Sequence, residues 1–279
     1  MAMTDSPAPV AIPPPADPRE LLRLLRLPRA GIITDIDGTI APLAATPGAA
    51  RVDQDARHAL MRLIPRLTLV AALTGRRAAD GASLVDIPAL LVVGNHGMEM
   101  LAGGTLTTDP DADPYAPNVH RVIERLRVSP LPPGTILEDK GPTASVHYRL
   151  APNHPEARAA LFALLEPLAT AEDLWLTEGR ALIEIRPPTP INKGYALRRL
   201  CTAYALDSVV MFGDDLTDVD AFDALSERRA AGEIAGLSVG VIAPDGTAPS
   251  EVLASVDAIA TGVTGIAALL TAVADGLGA

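Results

Sequence analysis

Aromatic residues make up only 3% of this 279-residue chain, with a single tryptophan and three phenylalanines. That scarcity argues against a stacking platform for single-stranded nucleic acid. Positive charge is also short: 34 acidic residues against 23 basic ones leave a net charge of −11, whereas a binder of nucleic-acid phosphates carries a basic face. A small anionic substrate stays open, because it needs only a local positive pocket. Cysteine is nearly absent. Cys201 alone excludes an internal disulfide and a thiolate-rich metal site, and is expected as a small buried hydrophobe in a helix following Lys193. No apolar run reaches the roughly 18–20 residues needed to span a bilayer. Residues 1–18 are rich in proline and alanine and lack the basic start and long apolar stretch of a signal peptide, so a disordered tail is expected. A cytoplasmic protein with no membrane or nucleic-acid partner follows. The sequence is silent on oligomeric state, with a monomer as the simpler expectation. Lysine is the last scarcity: the basic residues are arginines except for Lys140 and Lys193.

What is present is a run of apolar strands that end in chemistry. Glu20–Leu27 reads as a short amphipathic helix stopped by Pro28. Ala30–Thr34 reads as a buried strand ending in Asp35-Ile-Asp-Gly-Thr39. Val52, Ala56, Ala59, Leu60 and Leu63 recur at helical spacing. Strands over Leu67–Leu73 and Ala89–Val93 end in Thr74-Gly-Arg76 and Gly94-Asn-His-Gly97. Strand–helix–strand order with polar residues at each strand's C-terminal end predicts a doubly wound α/β core. The middle of the chain differs, with helices over Asn118–Arg127 and Pro155–Ala169, each followed by a pair of strands: Thr135–Lys140 with Ala144–Leu150, then Leu174–Thr177 with Ala181–Arg186. This helix–strand–strand unit, read twice, suits a small α/β domain built on an antiparallel sheet. The parallel pattern resumes with a helix over Lys193–Leu206, a strand over Val209–Phe212, the loop Gly213-Asp-Asp-Leu-Thr-Asp218 and a strand over Leu237–Ile242. The expected organisation is a core of residues 19–103 and 188–279 with an inserted domain at 104–187.

Asp35 and Asp37 are two carboxylates straddling Ile36 at a strand's end. Two anions so close are costly without a cation, and Mg²⁺, a hard ion taking one or two carboxylates, waters and a substrate phosphate, is the natural candidate. By itself this pair reads first as a structural turn. A second acidic loop, Gly213–Asp218, also follows an apolar strand, and in an open parallel sheet such edges face one crevice. There Asp214 completes a metal site with Asp35 and Asp37. Asp218 is expected to support it from behind, by holding a water or Lys193, and Asp215 is either another supporting group or the N-cap of the next helix. Thr74, Gly75 and Arg76 supply a hydroxyl and backbone N–H groups suited to phosphate oxygens. Lys193 offers a compact point charge in a chain that otherwise uses the guanidinium fork. Period two places Glu138 with Lys140, Ser145 with His147 and Arg149, and Glu184 with Arg186 on polar strand faces.

These motifs resemble, in order and spacing, those of the haloacid dehalogenase superfamily. The finer pattern resembles its trehalose-6-phosphate phosphatases: Leu73-Thr-Gly-Arg76, Gly94-Asn-His-Gly97, Glu138-x-Lys140 with His147-Tyr-Arg149, Glu184-Ile-Arg-Pro187, Asn192-Lys-Gly194 and Gly213-Asp-Asp-Leu-Thr-Asp218. The resemblance implies a Mg²⁺-dependent phosphatase in which Asp35 is the nucleophile and Asp37 the general acid and base. Asp35, the Asp37 backbone carbonyl and Asp214 would hold the metal, with Lys193 and Thr74 on the phosphoryl group. Glu138, Lys140 and Glu184 would meet the sugar hydroxyls, joined by Asn95, His96 and Arg149. One departure stands out: Val219 replaces the glutamate usual after the final aspartate of the loop, read as a tolerated change on a helix face ahead of the alternative, a mark of altered specificity. The alternatives are a phosphatase for another glycosyl or pseudo-disaccharide phosphate, and a catalytically silent sugar-phosphate-binding protein. His58 and His120 read as surface residues, and Trp175 is expected in the core of the inserted domain ahead of the alternative, a sugar-stacking platform.

Overall fold

A computed structural model describes residues 11–44 and 46–279. In chain order the elements are α1 (Pro18–Leu25), β1 (Ala30–Thr34), α2 (Gln54–Leu63), β2 (Leu69–Leu73), α3 (Ala78–Val85), β3 (Leu91–Gly94), β4 (Glu99–Ala102) and β5 (Thr105–Thr108). There follow α4 (Ala116–Arg127), β6 (Ile136–Asp139), β7 (Ala144–His147), α5 (His154–Ala171), β8 (Trp175–Gly179) and β9 (Leu182–Arg186). The chain closes with α6 (Lys193–Ala203), β10 (Ser208–Gly213), α7 (Leu216–Ala230), β11 (Ala235–Ile242), α8 (Ser250–Ser255), β12 (Ala258–Thr261) and α9 (Gly262–Gly276). They group into two compact bodies. One takes the chain up to Pro42 with Asp53–Val70 and Leu197–Ala279, and the other takes Leu43–Val52 and Ala71–Ala196.

The first body is built on parallel strands in the order β12–β11–β10–β1. Every position of β1 and of β10 is buried, which is why both read as unbroken apolar runs rather than alternating ones. Their register pairs Thr34 with Phe212, so the two strands end level and the acidic loops that follow start side by side. Helices α2 and α9 pack on one another, and α1 rests against α9 and β10. Asp17 caps α1 by accepting the Arg19 N–H at 2.9 Å, with Pro18 at the first helical position. The tail expected over 1–18 is ordered at its C-terminal end: Ala16 donates to the Ile259 carbonyl and Ile259 to that of Pro14, each at 2.9 Å, so the backbone pairs with β12 over residues 14–16. Residues 1–10 lie outside the described residues.

In the second body Ala71–Leu73 of β2 runs parallel to β3, and β3–β4–β5 continue antiparallel. The boundary expected between residues 103 and 104 falls inside the Gly103–Gly104 turn of the β4–β5 hairpin. Those strands pair from Glu99↔Thr108 to Ala102↔Thr105, so the interruption of the core pattern comes after residue 108. No strand was expected over 99–108, because its exposed polar threonines carry no apolar signal.

A separate antiparallel sheet has the order β6–β7–β9–β8, with α4 and α5 on one face, matching the repeated helix–strand–strand reading. Ala144, Val146, Ile183 and Ile185 form the buried face, against Val119, Val122, Ile123 and Leu126 of α4 and Leu161 and Leu165 of α5. Two expectations change here. The strand read as Ala144–Leu150 ends at His147, so alternation no longer governs Arg149. Trp175 is not core: Leu174 and Leu176 turn inward while the indole is 52% exposed. Replacing Leu161 by Ala removes a fully buried side chain from between α5 and the sheet. It is predicted to cost about 2–5 kcal/mol of stability, measured by denaturant unfolding.

Candidate active site

Three buried carboxylates meet at the edge of the first body. Asp35, Asp214 and Asp218 each present an oxygen such that all three donor atoms lie within 4.8 Å of one another. Asp35 begins the loop after β1 and is held at the strand end by its N–H bond to the Phe212 carbonyl, 2.9 Å. Beyond it the chain folds back tightly. The Ile36 carbonyl receives the N–H groups of Thr39, Ile40 and Ala41, and Gly38 N–H donates to Ala41 O at 2.7 Å. Gly38 has φ +93°, and a side chain there would collide with the Asp214 carboxylate. The turn therefore needs glycine twice over, for its conformation and for its closeness.

The second acidic loop is fixed by its own backbone. Asp218 is fully buried, and its Oδ2 accepts the N–H groups of Asp214 and Asp215, both at 3.0 Å. Asp215 closes a capping box on α7, accepting from Leu216 N–H at 2.7 Å, so of its two expected roles it takes the N-cap. Thr39 Oγ donates to Asp214 Oδ1 at 3.1 Å. Thr39 stood inside the recognised motif, but nothing in the spacing gave it this partner. The half-buried Asp37 carboxylate is not a member of the cluster, in which Asp218 appears instead. Three buried hard-oxygen donors at this spacing suit a divalent cation such as Mg²⁺, since crowded anions in a dry site are otherwise costly.

The other predicted residues assemble in the second body. The loop after β2 is stitched to the loop after β3: His96 N–H donates to Thr74 O at 3.0 Å and Asn95 N–H to Arg76 O at 2.7 Å. Thr74 is buried, and its Oγ receives Arg76 N–H at 3.2 Å. Asn95 and His96 both adopt left-handed backbone, φ 47° and 56°, a conformation that costs non-glycine residues and clusters at functional sites. Asn95 is fully buried, donates to Lys140 O at 3.1 Å and accepts from Thr143 Oγ at 3.0 Å, which ties the β3 loop to the β6–β7 turn. His96 covers Gly75 so closely that a Cβ there would stand 2.6 Å from the imidazole.

Lys140 is buried despite its charge. Its Nζ donates to Gly75 O at 2.9 Å and lies 3.3 Å from Glu184 Oε1, with His96 Nε2 3.7 Å from the other oxygen of that carboxylate. Burial works against the charge on Glu184, but Lys140, His96 and Arg186 hold its pKa below the ordinary value. Burial likewise pushes His96 down to about 4. Glu184 opposes this, and the positive charges of Lys193, Lys140 and Arg186 reinforce it. Glu138 is disfavoured by burial, yet the 2.7 Å contact with His147 and the charges of Lys140 and Arg76 keep it ionised. Lys193 is 2% exposed at the start of α6, which Asn192 caps by accepting Tyr195 N–H at 2.8 Å. Arg149 stands apart from this group, donating to the carbonyls of Ala44 and Arg180. Glu99 was missed with its strand. Burial raises its pKa, and it accepts the Ala78 N–H at the start of α3 at 2.9 Å.

Comparison with known proteins gives a consistent answer. A family model described as trehalose-phosphatase matches residues 33–251. A trehalose-phosphate phosphatase of Mycobacterium marinum (strain ATCC BAA-535 / M) is 33% identical over 215 residues, covering 74% of this chain and 54% of that protein. One of Mycolicibacterium paratuberculosis (strain ATCC BAA-968 / K-10) is 35% identical over 202 residues, covering 70% and 51%. The chain thus spans about half the length of the curated relatives it matches. Among solved structures, the C-terminal domain of Candida albicans trehalose-6-phosphate phosphatase superposes with a TM-score of 0.76 at 21% identity, covering 94% of this chain and 99% of that one, a likeness of fold.

The buried neutral imidazole has a consequence for stability. Its folded pKa lies below the unfolded value of about 6.5, so between the two the unfolded chain binds the extra proton and stability falls as pH drops from about 6.5 toward 4. His96→Gln is predicted to flatten the pH dependence of Tm in that window, read by thermal melts of both proteins. Gly38→Ala is predicted to cost at least about 1–3 kcal/mol through strain at positive φ and collision with the Asp214 carboxylate, measured by denaturant unfolding.

Proposed function

This chain belongs to the trehalose-phosphatase family, and we propose that it hydrolyses trehalose 6-phosphate to trehalose and phosphate, with Mg²⁺ as cofactor. The observation that carries this reading is the cluster of Asp35, Asp214 and Asp218, buried where two parallel strands end level, in a chain that also presents a buried polar network around Lys140 and Glu184. Asp35, Asp214, Asp218 and the backbone carbonyl of Asp37 are the groups that would hold Mg²⁺. When bound, the ion supplies positive charge to the phosphoryl oxygens.

In the proposed reaction an Asp35 carboxylate oxygen attacks phosphorus, and the bond from phosphorus to the sugar oxygen breaks. The Asp37 carboxyl gives its proton to the departing sugar oxygen, then takes one from the water that hydrolyses the aspartyl phosphate, which frees Asp35. Lys193, Thr74 and the N–H groups of Gly75 and Arg76 bind the phosphoryl oxygens as negative charge spreads over them. Glu138, Lys140, Glu184, Asn95 and His96 are assigned to the sugar hydroxyls. Arg149 fits a supporting place better, since its guanidinium is taken up by backbone carbonyls. The residues assigned to the chemistry are all retained, which speaks against a silent binding protein. Val219, half-buried beside Asp218 at the start of α7, favours one competing reading, a phosphatase for a different glycosyl phosphate.

Purified protein with Mg²⁺ is predicted to release phosphate from trehalose 6-phosphate faster than from other sugar phosphates, and to stop when the metal is chelated. Preference for another glycosyl phosphate in that panel, reversed by Val219→Glu, would instead establish the competing reading. Asp35→Asn is predicted to lower kcat by at least on the order of a thousandfold without lowering Tm, since it removes one of three crowded charges.

A further inference from the structure

Trp175 is the only tryptophan in a chain poor in aromatics, and about half of its surface is left in water. An isolated exposed hydrophobe needs no explanation. The position of this one in the antiparallel sheet does ask for one. Trp175 pairs with Arg186 and Thr177 with Glu184 across β8 and β9, and Glu184 pairs in turn with Ser145, itself opposite Glu138. Paired residues share a face, so the indole stands on the same side as both carboxylates, away from α4 and α5. It is the direct neighbour of Arg186 and the diagonal neighbour of Glu184, a separation of about 7–8 Å that aromatic and long side chains bridge. Long side chains do span this face: Lys140, just past β6, reaches Glu184 two strands away, its Nζ at 3.3 Å.

Two groups on the same face are buried without hydrogen-bond partners among the described residues, Ser145 Oγ and Arg186 Nε. Leaving such groups unmet costs about 1–3 kcal/mol each. Both atoms are shut off from the surface, so what a ligand meets on this face is the indole and the charged groups beside it, and the aliphatic face of a sugar ring has the size and polarity to lie on an indole while its rim hydroxyls turn to those neighbours.

We propose that Trp175 is a specificity-determining residue, a platform on which a sugar ring of the substrate rests while Glu184 and Arg186 beside it take its hydroxyls. This rests on the sugar-phosphatase reading above and adds to it the surface that separates a sugar phosphate from a phosphate ester without a sugar. The test compares kcat/KM for trehalose 6-phosphate with that for p-nitrophenyl phosphate. Trp175→Ala is expected to lower the ratio of the two about tenfold, chiefly through KM for the sugar substrate, and Trp175→Phe to restore most of it. A ratio that stays at the wild-type value, whether or not both activities fall, overturns the proposal.

Because the chain has one tryptophan, its fluorescence reports this residue alone. Trehalose 6-phosphate added to the Asp35→Asn protein is expected to shift or quench the emission saturably, while inorganic phosphate does not. Emission that the sugar phosphate leaves unchanged overturns the platform even if hydrolysis is normal. If the wild-type protein cleaves a different glycosyl phosphate instead, the substrate assignment fails by itself, and the same two measurements with that compound decide the role of Trp175.

Discussion

The rest of the first body is arranged around one electrostatic constraint, the crowding of Asp35, Asp214 and Asp218 in a buried site. Like charges that close repel, and burial removes the water that would screen them. The fold meets this with rigid supports. β1 and β10 end level through the Thr34↔Phe212 pairing, the Asp35 N–H is fixed on Phe212, and Gly38 lets the turn pass against Asp214. Asp218 spends one oxygen on two backbone N–H groups, and Asp214 receives the Thr39 hydroxyl. What remains of the carboxylates is a set of hard-oxygen donors held at fixed positions, the arrangement that the proposed metal-assisted reaction would use.

The second body solves a related problem with the opposite charges. Its two lysines, the whole complement of the chain, are both buried. Burying an ammonium is tolerable only with partners, and Lys140 has a carbonyl and a carboxylate within reach. The left-handed pair Asn95 and His96 belongs to the same arrangement. Their backbone holds the Thr74–Arg76 loop, while the Asn95 side chain holds the turn after Lys140. One strained dipeptide thereby fixes both the candidate phosphate loop and the candidate sugar-binding lysine. His96 stays neutral there, so the network keeps its charge pattern across the neutral pH range.

The readable parts of the sequence were those where local pattern and tertiary environment agree. β1, β2 and β10 are buried on both faces, so their apolar runs announced them, and the polar loops after them stood out by contrast. The hairpin over residues 99–108 gave no such signal, since β5 is exposed and rich in threonine, and Glu99 was lost with it. Alternation put Glu138 with Lys140 and Glu184 with Arg186, while strand pairing alone brought Glu138 and Glu184 to one face; for Arg149 alternation did not apply, because β7 ends two residues before it. Trp175 was misassigned because hydrophobicity alone sends a tryptophan inward, while its strand neighbours Leu174 and Leu176 had already claimed that side.

By itself the sequence determined the α/β class, the strand ends that carry chemistry, the order of the motifs and hence the family. These depend on residue type and short-range spacing, which the chain states directly. Tertiary structure alone decided that Asp218 stands with Asp35 and Asp214, that Thr39 and Asn95 are supports, and that an indole shares the face of Glu184. Each of these joins residues far apart in the chain, or turns on where a strand stops, and both are fixed by backbone pairing and packing rather than by any local signal.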